Sequence, residues 1–86
     1  MKGPSPHARL IRQARRERGL CQYKLADALS SVAGQDISRE DVSRWERGKR
    51  LPGPYWRGWL SMVLKIPLDQ LTAATRTARR ERPGKA

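Results

Sequence analysis

Apolar residues recur at helical spacing along most of this chain, and turn-forming residues punctuate them. Leu10, Ile11 and Ala14 share one face, which predicts a first helix from near His7 to Arg18, stopped by Gly19, with Leu20 anchoring the turn in the core. Leu25, Ala26 and Leu29 form the inward face of a second helix that starts at Gln22. Val32 and Ala33 continue the stripe, and Gly34 is the latest end before a turn through Gln35, Asp36 and Ile37. Ser38 followed three residues later by Asp41 is a capping-box pattern, with Asp in the place usually held by Glu, so Ser38 is the expected N-cap of a third helix. That helix turns Val42 and Trp45 inward and ends at Gly48.

Beyond the rigid LPGP loop at 51–54, a fourth helix carries Tyr55, Trp56, Trp59, Leu60, Val63 and Leu64 on its apolar face. Pro67 and Asp69 open a fifth, with Leu68 and Leu71 directed inward. From Thr72 onward the chain becomes basic and loses periodicity, which predicts a fraying tail. No segment alternates as a strand does, and no internal repeat is visible. The expectation is an all-α fold of five helices, divided into a flexible N-terminal arm at 1–6, a domain at 7–74 and a basic C-terminal tail at 75–86.

Charge then changes the picture. Nineteen Lys and Arg stand against eight Asp and Glu, a net charge of +11, and the excess is largely Arg, which suits forked contacts to phosphate and guanine. A polyanion is the expected partner. One cysteine, Cys21, cannot form an intramolecular disulfide, and one histidine, His7, cannot complete a Cys/His metal cluster, so neither a metal nor another cofactor is expected. Cys21 itself reads as a small apolar contact in the turn between the first two helices. No stretch approaches the roughly 20 apolar residues of a membrane span, and the N-terminus lacks an apolar signal region. The expected setting is the reducing cytoplasm, at the nucleoid, with no membrane partner. No nucleophile, base and orienting acid assemble into a motif, so an enzyme is not expected.

The residues that carry most information are Gln22-Tyr23-Lys24-Leu25-Ala26 and the string Ser38 to Lys49, with Val42, Ser43, Trp45, Glu46, Gly48 and Lys49 in fixed register. Together they resemble the lambda-repressor and Cro type of helix-turn-helix, the XRE family, over about residues 8 to 74. The resemblance implies a lambda-repressor-like five-helix DNA-binding domain whose third helix enters the major groove. By motif position, Arg39, Glu40, Ser43 and Arg44 would touch base edges. Arginines fork onto guanine O6 and N7, and a glutamate accepts from cytosine N4. Gln22, Arg47, Lys49 and Arg50 would hold phosphates. Arg15 matches an arginine that pairs with the third-helix glutamate, here Glu46, in a structural role. Ser38, Val42, Trp45 and Gly48 are structural too.

One departure matters: Ser30 to Gln35 are about six residues more than the family pattern has. Either the second helix lengthens or the following loop does. Trp56 and Trp59 fit a core role for at least one of the two, beside a partner-binding or base-stacking alternative. The resulting expectation is a transcriptional regulator, most simply a repressor, that binds double-stranded DNA as a homodimer. Two other classes use the same features: an antitoxin that binds DNA and a toxin partner, and a sequence-indifferent nucleic-acid binder driven by charge.

Overall fold

The computed structural model describes residues 5–81, with the backbone alone for Glu81. The described residues form five helices and no strand: α1 (Pro6–Glu17), α2 (Gln22–Ala33), α3 (Arg39–Glu46), α4 (Pro54–Leu64) and α5 (Leu68–Glu81). Helix α1 packs against α3, α4 and α5, while α2 packs against α3 and α4. The core at their meeting point is built from Ile11, Leu25, Leu29, Val42, Leu60, Leu64 and Leu71, all buried, with Trp45 among them. Each helix contributes one apolar face, and closing the bundle hides all five.

The helix ends follow local chemistry. Pro6 occupies the first turn of α1, where the missing N–H costs no hydrogen bond. At α3 the capping box is complete: the Asp41 backbone N–H donates to Ser38 Oγ at 3.2 Å and the Ser38 N–H donates to Asp41 Oδ2 at 3.1 Å. Gly34 closes α2 in the left-handed conformation, at φ 69°. The extra residues are therefore shared. Ser30 to Ala33 lengthen α2, and Gly34 and Gln35 fall in the turn. Ser30 then staples that turn, its Oγ donating to the Ile37 carbonyl at 3.1 Å and accepting from the Ile37 N–H at 2.9 Å.

Five expectations are corrected. Helix α5 does not fray after Leu71: it runs to Glu81 and buries Thr75 and Ala78, so the folded unit extends past residue 74 into the segment read as tail. The buried positions are small or hydroxylated, and the Thr75 hydroxyl donates to the Leu71 carbonyl at 2.8 Å, so burying it leaves no donor unpaired. Leu68 is exposed where it was expected inward, because Ile66, before the helix, fills the core instead. Val32 is exposed, while its neighbour Ala33 is half-buried. Cys21 is exposed at the N-cap of α2 and makes no core contact. Helix α1 begins at Pro6, inside the expected arm. Residues 1–4 of that arm and 82–86 of the tail lie outside the described residues.

Candidate nucleic-acid interface

Helix α3 has two unlike faces. Val42, Trp45 and Glu46 are buried on one. On the other, Arg39 and Glu40 are exposed, and Ser43 and Arg44 are half-buried. The four residues expected to read bases thus share the outward face. Of those expected to meet phosphate, Arg47, Lys49 and Arg50 are exposed in and beyond the last turn of α3, and Gln22 is half-buried at the first position of α2.

Glu46 is the hinge of the arrangement. Its side chain is 0% exposed, yet it is a charge, and such a group is tolerable only when fully hydrogen-bonded. Arg15 supplies two bonds, Nε to Oε2 at 2.6 Å and Nη2 to Oε1 at 2.9 Å. The remaining Arg15 Nη1 donates to the Leu20 carbonyl at 2.9 Å, which ties down the α1–α2 turn. The hydrogen bond to Glu46 holds the Arg15 guanidinium pKa above its ordinary value. Gln22 Nε2 donates a further bond to Glu46 Oε1 at 3.1 Å. Arg12 joins from α1, its Nη2 donating to the Glu46 carbonyl at 3.3 Å.

Gln22 and Arg12 were not foreseen as members of this network. Arg12 lies one turn before Arg15 on α1, a spacing that places both on the same side of the helix and is the signal that was available. The Gln22 contact joins residues 24 apart, and no local pattern announces it. With its amide nitrogen held by Glu46, Gln22 presents its oxygen outward, where Arg39 Nη1 donates to it at 3.1 Å. Four side chains thus form one chain, Arg15 to Glu46 to Gln22 to Arg39, running from the core to the surface.

Electrostatically, the outward face of α3 is balanced within itself. Arg39 lies 3.8 Å from Glu40, Arg47 lies 3.4 Å from Glu40, and Arg44 lies 3.6 Å from Asp41. These pairs are half-exposed and each contributes little to stability, on the order of 0 to 1 kcal/mol. Beside them, between α2 and the α2–α3 turn, an open groove of about 550 Å³ is walled by Tyr23, Asp27, Asp36, Arg39 and Asp41. Its three carboxylates make that flank of α3 unattractive to phosphate.

The loop after α3 is braced from the N-terminus. Gly48 adopts φ +74°, which favours glycine, and a Cβ there would also have to displace the Ser5 hydroxyl, which would stand 2.7 Å away. His7, fully buried, lies with its ring Nε2 3.2 Å from the Arg50 carbonyl. His7 was read only as unable to complete a metal cluster, and its bracing role has no sequence signal. Trp56 and Trp59 are half-buried against the core, and Trp56 lies 6.3 Å from Trp45 between ring centroids. Tyr55 is 48% exposed and donates to the Ala33 carbonyl at 3.3 Å.

Compared with known protein families, curated proteins and solved structures, the chain matches none. A short capped helix presents two arginines, a glutamate and a serine outward, and a buried ion pair fixes it against α1. Side chains of those types on the exposed side of a helix suit hydrogen-bonding to base edges in a groove.

Among the described residues, no helix is long and apolar enough to cross a membrane.

Proposed function

We propose that this protein is a sequence-specific double-stranded-DNA-binding regulator with a lambda-repressor-like helix-turn-helix of the XRE type. In this reading α3 lies in the major groove, Arg39, Glu40, Ser43 and Arg44 read base edges, and Gln22, Arg47, Lys49 and Arg50 hold the flanking phosphates. The single observation that carries it is the division of α3, with Val42, Trp45 and Glu46 buried and the four proposed readers left outward. The net charge of +11 supports the same partner.

One helix of eight residues reads few base pairs, so a two-fold site bound by a homodimer is the natural way to reach useful specificity. The protein then acts in the cytoplasm, at the nucleoid, as a repressor that occludes a promoter, with no catalysis and no cofactor. The test is selection from a random duplex library at physiological salt. Enrichment of a short two-fold motif is the expected result. Equal recovery of all sequences would leave only a charge-driven nucleic-acid binder, and co-purification of a small protein partner would favour the antitoxin reading.

A further inference from the structure

Two arginines of α1 stand apart from the network around α3, and a third on the same edge joins them to it. Arg9, Arg12 and Arg16 follow at i, i+3 and i+7 on α1, so they line one edge of that helix. Arg9 and Arg16 are exposed, and among the described residues neither makes an ion pair. The neighbouring acid, Glu17, accepts from Gln13 Nε2 at 3.3 Å. Arg12 links this edge to α3, because its guanidinium reaches the carbonyl of Glu46 at the last position of that helix. Arg12 thereby ties the edge to the residue that precedes Arg47.

The contrast with α3 is physical. On and just after α3 each of Arg39, Arg44 and Arg47 already has a carboxylate within 4 Å, and the α2 flank carries Asp27, Asp36 and Asp41. On the α1 edge Arg12 has Glu46 at 3.8 Å, but the exposed Arg9 and Arg16 have no such partner among the described residues, so a polyanion gains most attraction there and meets repulsion on the opposite flank. Seven residues of helix rise about 10 Å. That length suits at least two successive phosphates of one strand, which advance about 3.4 Å along the duplex axis each.

We infer that the Arg9–Arg12–Arg16 edge of α1 is a second duplex-binding surface, which takes phosphates flanking the segment read by α3. It supplies more of the salt-dependent attraction than the arginines of α3 do. The inference rests on the proposed reading that α3 enters the groove.

The experiment uses the full chain and the double variant Arg9→Gln/Arg16→Gln, which breaks no ion pair and should keep the wild-type melting temperature. Binding is titrated against salt on the selected site, in a duplex of about 12 base pairs, roughly one helical turn, and in one of about 30. On the longer duplex the log-log slope should fall by about 0.9 for each lost phosphate contact, with base preference unchanged. On the shorter duplex wild type and variant should coincide. Arg39→Gln/Arg44→Gln, made for comparison, should lose base preference and keep most of the slope. An unchanged slope in Arg9→Gln/Arg16→Gln on the longer duplex overturns the inference, and so does an equal fall on both lengths. Absence of any base preference in the wild type would instead remove the groove reading, while the slopes would still decide whether the α1 edge binds duplex.

Discussion

Arg15 and Glu46 meet across the α1–α3 contact in a two-pronged pair, at 2.6 and 2.9 Å, with the Glu46 side chain fully shielded from water. A pair of this kind fixes how two helices sit more than it adds net stability, but removing one partner strands the other. Glu46→Ala leaves the guanidinium of Arg15, whose side chain is 12% exposed, facing an empty slot. The expected loss is about 3 to 5 kcal/mol of unfolding free energy. Chemical denaturation of the variant measures it, and a loss under about 1 kcal/mol would show that solvent reaches the pair readily.

The Arg44 guanidinium pairs with Asp41 on the half-exposed side of α3, so its removal leaves the core intact. Arg44→Ala is expected to cost about 1 to 3 kcal/mol on the preferred duplex and little on random sequence. Competition binding with both duplexes distinguishes the outcomes, and equal losses on the two would remove Arg44 from the base-reading set.

Gln22 was expected to act on phosphate alone, which predicts a uniform loss across sequences. Its hydrogen bond to Arg39 adds a second consequence. Gln22→Ala frees the Arg39 guanidinium, so selectivity at the base that Arg39 reads should relax together with the uniform loss. A library selection repeated on the variant reports both. An unaltered motif would mean that Arg39 holds its position without Gln22.

Truncation after Ala74 should destabilise the fold, because it removes the buried Thr75 and Ala78. Loss of a buried methyl-sized contact costs about 1 kcal/mol, and in a domain this small each such loss lowers the melting point by roughly 4 to 8 °C. A truncated chain with the original melting temperature and a merely flatter salt dependence would restore the view of 75–86 as an unattached basic tail.

Cys21 is exposed, and the backbone N–H of Lys24 holds its thiol pKa below the ordinary value by favouring the thiolate. Its alkylation rate should therefore rise at lower pH than that of an unperturbed cysteine, reaching half its plateau below the midpoint of a cysteine in an unstructured peptide. A pH series with iodoacetamide checks this. A midpoint at or above that value would mean that the first turn of α2 does not stabilise the thiolate.

What the sequence determined by itself was whatever is encoded within a turn or two of helix. The capping box at Ser38 and Asp41 and the stop at Gly48 are local, and they set the ends of α3 wherever the rest of the chain goes. The inward period of Val42 and Trp45 is equally local, and so is the amphipathic face of α2 through Leu29. The pairing of Arg15 with Glu46 came from the resemblance of the motif and not from spacing.

Tertiary structure decided what depends on which neighbour arrives. Thr75 and Ala78 are buried only because α5 lies along the bundle, and their small, partly polar side chains carry too weak a pattern to reveal it. Leu68 and Val32 are apolar but face solvent, since Ile66 and Ala33 reach the bundle in their place. The bonds of Gln22 to Glu46 and Arg39 join residues 24 and 17 apart in sequence and exist only once α2 and α3 are packed. Long-range contacts of this kind are settled by complementarity of shape and charge at closure, a quantity that no short window of residues contains.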